Sequence, residues 1–253
     1  MATVLEYLLD VRARYGGGFL LLLDPDRLTI RDCTIIAEAA GESGVDAILV
    51  GSSLILNVDF AQAVRQIKDA SGVPVIILPG SVSQVVPDAD AILFTSLLSS
   101  RNPIYLVDEQ VKGAPLVKRY GLEPIPTAYL LIESGRVSSA MFMSAGVPIP
   151  RNKPDIACAH ALAGQYMGMK LVYLEAGSGA DLAVPVEMIR EVAHYIDIPI
   201  IVGGGLKSPE DCLTRIEAGA SFVVMGNHFE TPDSLASLRE MVAAAHPKAP
   251  VNV

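Results

Sequence analysis

The stretch whose reading decides the fold is Ile198 to Asn227, IPIIVGGGLKSPEDCLTRIEAGASFVVMGN. It opens on a short apolar run and breaks at three glycines. Residues 209–218 then show helical spacing, and a second apolar run, 222–225, ends at Gly226-Asn227. Ser208-Pro209 places a hydroxyl cap before a proline suited to a first helical turn. Two short strands separated by a helix are the signature of a parallel βαβ unit, because the helix supplies the crossover that parallel strands need.

Outward from this unit the same alternation recurs. Strand-like runs stand at 18–23, 47–50, 75–78, 91–94, 125–132, 171–174, 198–202 and 222–225, and helical spacing at 32–43, 59–70, 155–167, 186–195, 209–218 and 234–244. Thr231-Pro232 repeats the capping signal. Eight strands in 253 residues predict an α/β chain folded as one (β/α)8 TIM barrel, a single domain spanning 1–253. Residues 81–90 are too short and polar for a helix, so the barrel is expected to be modified, with one helix missing or replaced between strands three and four. The connection 133–150, followed by Arg151-Asn152-Lys153, exceeds an ordinary βα loop and reads as a functional lid or arm. The tail from 246 to 253 reads as frayed.

Composition narrows the class. The chain is 51% hydrophobic and 19% charged, which excludes disorder. Twenty-eight acids against 19 bases give a formal charge of −9, and with no basic cluster nucleic-acid binding is not expected. The longest apolar run, Phe19 to Leu23, is far short of a membrane span, so no transmembrane segment is expected. The opening MATVLEYLLD lacks the pattern of a signal peptide, and the expected location is cytoplasmic. Cys33, Cys158 and Cys212 are scattered without a C-x-x-C pair and read as core residues.

In such a barrel the chemistry sits at the carboxyl ends of the strands. Gly204, Gly205, Gly226 and Asn227 follow the last two strands, where backbone N–H groups can cradle a phosphate; tight βα turns would use the same glycines. Glu175 meets the flexible AGSGA turn and is placed either to take a proton from a hydroxyl or to pair at the rim. Asp24, in LLLLDPD, can hold Mg²⁺ beside a substrate phosphate or cap a turn, with Asp26 the rival ligand. The four histidines show no ligand spacing. Arg101-Asn102 and Arg151-Asn152-Lys153 put positive charge on loops that could face the mouth as diphosphate partners.

These motifs resemble a known family. LLLLDPDRL, DAILVGSS, VPVIILPGS, LLSSRNPIYLV, PIPTAYLLIESG, PRNKPDIA, YLEAGSGA, IPIIVGGGLKSPED and GASFVVMGN together are similar to the geranylgeranylglyceryl phosphate synthase family of archaeal lipid enzymes, over nearly the whole chain and most closely to its second group. The resemblance implies an Mg²⁺-dependent prenyltransferase of ether lipid biosynthesis. It would move a geranylgeranyl group from geranylgeranyl diphosphate to the 3-hydroxyl of sn-glycerol 1-phosphate. Carried over by position, Tyr173, Leu174, Glu175, Ala176, Gly177, Ser178 and Gly179 would surround the glycerol phosphate, and Gly204, Gly205, Gly226 and Asn227 would hold its phosphate. Glu175 and Tyr173 would be catalytic, and Asp24 and Ser53 would be the Mg²⁺ positions; the family's GGST or GGTT here reads Gly51-Ser52-Ser53-Leu54. The resemblance also implies a homo-oligomer, a dimer or hexamer, and a peripheral encounter with membrane for lipid substrate and product. A heptaprenylglyceryl phosphate synthase with a longer donor is the nearest alternative. A sugar-phosphate isomerase or lyase, or a non-catalytic phosphate-binding barrel, would use the same glycine turns.

Overall fold

The computed structural model describes residues 2–230 and 232–248. Eight parallel strands close in sequence order: β1 (Gly18–Leu23), β2 (Ala47–Val50), β3 (Val75–Ile77), β4 (Ala91–Leu97), β5 (Glu123–Leu131), β6 (Leu171–Glu175), β7 (Ile200–Gly203) and β8 (Phe222–Met225), with β8 pairing back onto β1. The helices are α1 (Val4–Tyr15), α2 (Ile30–Ser43), α3 (Phe60–Ser71), α4 (Glu109–Tyr120), α5 (Ser139–Ser144), α6 (Pro154–Tyr166), α7 (Val186–Tyr195), α8 (Pro209–Glu217) and α9 (Leu238–Ala245). Strand residues alternate faces. Leu20, Leu49, Ile76, Leu93, Ile125, Ile201 and Phe222 fill the interior, while Leu21, Ile48, Ile77, Ile92, Val172 and Val202 pack the larger layer beneath the helices.

The expected gap is present. Between β3 and β4 a single 3-10 turn, Val82–Gln84, replaces a helix, and these strands share only two register pairs. By contrast, β4 and β5 pair over seven residues from Ala91–Glu123 to Leu97–Tyr129.

Three helices escaped the sequence reading: α1, α4 and the short α5 inside the 133–150 connection. α1 closes the amino end of the barrel, packing Leu8 into the interior cluster, while the Glu123 carboxylate accepts the Val4 and Leu5 N–H groups. Its start was legible as a capping box, Thr3 with Glu6. α4 was obscured by Gly113 and Pro115, which lower helical propensity, and it begins with a π-turn, Ile104–Asp108. Gln110 Nε2 pins that turn by donating to the Thr95 and Tyr105 carbonyls.

The tail differs from expectation. His246 stacks on Tyr15 at 4.7 Å and Nε2 lies 2.8 Å from the buried Asp46 carboxylate, and Lys248 N–H donates to the Tyr15 carbonyl. Ring stacking and a buried polar partner dock this segment to the barrel floor. The rest of the tail, 249–253, and the Thr231 cap fall outside the described residues. The three cysteines are buried and free, and no helix among the described residues is long and apolar enough to cross a membrane.

Candidate active site

A cavity of about 550 Å³ opens at the carboxyl ends of the strands. Its floor is set by the alternation along β6: Tyr173 and Glu175 point inward, and Leu174 points out into the layer under the helices. Both inward residues are buried, Tyr173 fully and Glu175 to 6% exposure. Tyr129 of β5 meets Tyr173 edge to face at 5.0 Å.

The Tyr173 hydroxyl makes no hydrogen bond of acceptable geometry. The Glu175 carboxylate lies beside it and the two groups interact, but no partner is aligned well enough to satisfy the hydroxyl fully. Burial raises the Tyr173 phenol well above its usual range, helped by the Glu175 charge, so it stays protonated. Burial likewise raises the Glu175 carboxyl, partly offset by the Tyr173 hydroxyl and by the Gly177 N–H that donates to Oε1. A buried carboxyl with a raised pKa is a better proton acceptor than one on the surface.

The three glycines at the end of β7, Gly203 to Gly205, have separate steric reasons. A Cβ on Gly203 would lie 2.5 Å from the Tyr173 hydroxyl, so that position makes room for the tyrosine. Gly204 has φ +84, and a Cβ there would come within 2.6 Å of the Gly177 N and 2.7 Å of Glu175 Oε1. Gly205, at φ +74, would strike the Ala183 backbone at 2.8 Å. The Ser178 hydroxyl donates to Asn227 Oδ1, tying the turn after β6 to the turn after β8. Gly177, Ser178, Gly179, Gly204, Gly205, Gly226 and Asn227 all line the cavity, whereas Leu174 and Ala176 do not.

Across the mouth, Asp24 directly follows β1 and lines the cavity. Its Oδ2 accepts the Ser52 hydroxyl at 3.0 Å and Oδ1 accepts the Asp26 N–H, while burial raises its pKa. Ser53 lines the same wall, but the hydroxyl on Asp24 belongs to Ser52, a contact the sequence reading missed. Asp26 is withdrawn from the rival role: its carboxylate accepts the Leu56 and Asn57 N–H groups, which lower its pKa and anchor the loop after β2. Oxygen donors at Asp24, Ser52 and Ser53, with Glu230 on the same cavity wall, suit a hard divalent cation that keeps waters and phosphate oxygens in its shell.

Two predicted cationic loops do not line the cavity. Arg101 donates to the Leu98 and Ser100 carbonyls of its own loop after β4, and Arg151 donates to those of Glu133 and Ala183, which ties the base of the arm to the turn after β6. The arm itself carries α5 and is tied back by a bridge between Ile132 and Ile149. On this side Val82, Val85, Leu97, Tyr105, Gly113 and Met143 give the cavity an apolar limb over the missing helix. The sequence reading missed these residues because no local signal marks a gap between a 3-10 turn and a π-turn.

A closed eight-stranded parallel barrel with glycine turns after β7 and β8 and carboxylates at its rim defines a TIM barrel of enzyme type, with a corner suited to a phosphate. The PcrB family model matches residues 10–245, and the chain belongs to that family. It is 47% identical over 239 residues to a geranylgeranylglyceryl phosphate synthase of Korarchaeum cryptofilum, covering 93% of this chain and 98% of the relative. It is 48% identical to the enzyme of the same name from Thermococcus kodakarensis, over 87% of each chain. The crystal structure of (S)-3-O-geranylgeranylglyceryl phosphate synthase from Thermoplasma acidophilum, in complex with its substrate sn-glycerol-1-phosphate, superposes with a TM-score of 0.91 at 38% identity, over 97% of this chain and 99% of that one.

Proposed function

We propose that this protein transfers a geranylgeranyl group from geranylgeranyl diphosphate to the 3-hydroxyl of sn-glycerol 1-phosphate, releasing diphosphate, in ether lipid biosynthesis of the archaeal type. The observation that carries the reading is the buried, unsatisfied Tyr173 hydroxyl beside the Glu175 carboxylate, with glycine turns at one end of the cavity and an apolar limb at the other. An alcohol bound between Tyr173 and Glu175 would satisfy the first and lose its proton to the second. The acceptor phosphate would lie against Gly204, Gly205, Gly226 and Asn227, and the prenyl chain along the limb lined by Val82, Val85 and Leu97. The relatives of this name support that assignment.

In this reaction the acceptor oxygen forms a bond to C1 of the prenyl group as the C1–O bond to diphosphate breaks. The leaving group keeps the electron pair, and Glu175 takes the hydroxyl proton. Tyr173, held protonated, donates toward the acceptor and orients it. Asp24 and Ser53, with Ser52 beside them, would hold Mg²⁺, which when bound neutralises charge on the departing diphosphate. The cytoplasm is the compartment where such a reaction would run, in peripheral contact with membrane lipid.

Assaying product from sn-glycerol 1-phosphate and its enantiomer, with donors of increasing length and with or without Mg²⁺, tests the reading. We expect turnover of the sn-1 isomer with the 20-carbon donor and loss of turnover on chelation. Preference for a longer donor would move the assignment to the heptaprenyl reaction, and turnover of a sugar phosphate without any prenyl donor would sink it.

A further inference from the structure

The cavity wall is poorly matched in charge to its proposed reactants. Among the described residues, five carboxylates line it, at Asp24, Glu109, Glu175, Asp181 and Glu230, against one lysine, Lys207, while both reactants are anions. Two arginines stand just behind this wall, each held by one of its acids: Arg27 by Glu230 at 3.1 Å and Arg136 by Asp181 at 3.8 Å. The second pair is the looser. Its separation exceeds hydrogen-bond range, its side chains are 51% and 60% exposed, and exposed pairs of that kind are weakly held.

Arg136 sits on the arm after β5, and its guanidinium packs against Gly179. A Cβ at Gly179 would lie 2.7 Å from Arg136 Nη2 and 4.0 Å from Asn227 Nδ2, so both nitrogens border one point. Asn227 Oδ1 is already taken by the Ser178 hydroxyl, which leaves its amide hydrogens as donors at that point. One phosphate, with bonds of about 2.8 Å on either side, spans such a gap.

We propose that Arg136 is a binding residue for the acceptor phosphate, exchanging Asp181 for the phosphate as the acceptor enters. This rests on the reading of the β7–β8 corner as the acceptor phosphate site. A guanidinium matches a phosphate in two parallel bonds, which Asp181 at its present distance does not offer. Asp181 holds the arginine ready and competes with the ligand. The two partners therefore act with opposite sign: removing Arg136 weakens anion binding, and removing the Asp181 charge leaves it equal or tighter.

Titration calorimetry with sn-glycerol 1-phosphate and, separately, inorganic phosphate on wild type, Arg136→Gln, Arg136→Lys and Asp181→Asn tests this, with thermal midpoints as the folding control. In Arg136→Gln, Kd for both anions should rise about ten- to a hundredfold. The acceptor KM should follow, with kcat within about threefold of wild type. Arg136→Lys should recover part of the loss, and Asp181→Asn should bind no more weakly than wild type. Equal weakening by Arg136→Gln and Asp181→Asn would make the pair a structural strut and overturn the proposal, as would an unchanged Kd in Arg136→Gln. Should Arg136→Gln fail to fold, Arg136→Lys against Asp181→Asn carries the same opposition. If wild type binds inorganic phosphate but not sn-glycerol 1-phosphate, the acceptor assignment fails while the phosphate series still decides Arg136; binding of neither overturns both.

Discussion

Two glycines line the same cavity and could hardly differ more. Gly204, at the polar end, adopts φ +84 and has backbone and carboxylate atoms where a Cβ would go; Gly113, in α4 at the apolar end, would give a Cβ ordinary contacts with Val85 and Val82 at 3.8 and 4.0 Å. At the first, the turns after β6 and β7 press together so that Tyr173, Glu175 and the N–H groups share one corner. At the second, a 3-10 turn stands where a helix is missing, and the space is left open. Recognition of a small anion needs atoms fixed to a few tenths of an ångström, while holding a hydrocarbon chain needs room and an apolar wall.

Breaking the polar end should have the largest effect. Glu175→Gln keeps the shape but removes the proton acceptor, and kcat should fall by about 10²- to 10⁴-fold, with little change in acceptor KM. Retention of near wild-type kcat would strip Glu175 of its role. Gly204→Ala adds a methyl beside Gly177 and Glu175 at a positive φ that itself costs about 1–2 kcal/mol. Calorimetry should show acceptor binding weakened by well over tenfold, and unaltered binding would mean that the corner yields more easily than its contacts indicate.

The pH profile sharpens the same end. Burial raises the Glu175 carboxyl, and only its ionised form can take a proton. Activity should therefore be lost as pH falls through that raised value, putting the acid limb of kcat/KM above the ~4.3 of an ordinary glutamate. The limb should be absent from the residual activity of Glu175→Gln.

At the apolar end the effects should be smaller and of another kind. Gly113→Leu should fill the limb and shift preference toward shorter prenyl donors without changing the Kd for sn-glycerol 1-phosphate. Gly113→Ala should be tolerated and should stabilise α4 by up to about 1 kcal/mol, read as a higher thermal midpoint. A loss of acceptor affinity in either variant would show that the two ends are not independent.

The polar end was largely legible in the sequence, because it is written locally. Glycines directly after two short strands, and an alternating Tyr173-Leu174-Glu175, place backbone and side chains by the two-residue period of a strand. The apolar end was not, since Val82, Leu97, Gly113 and Met143 meet only when four separate segments assemble. Asp26 shows the same limit. Beside Asp24 in DPD it is an equal ligand, and only the fold reveals that the loop after β2 has already taken its carboxylate.

The sequence by itself determined the barrel, its strand order, the missing helix and the corner of glycines and carboxylates, because hydrophobic period, turn chemistry and residue order act over a few residues at a time. Tertiary structure alone decided that Ser52 is the hydroxyl on Asp24, that His246 docks on Tyr15 and Asp46, and that Arg136 stands behind Gly179. Each of those contacts joins residues far apart in the chain, and a partner across such a distance is chosen by the closing of the barrel, which no local pattern records.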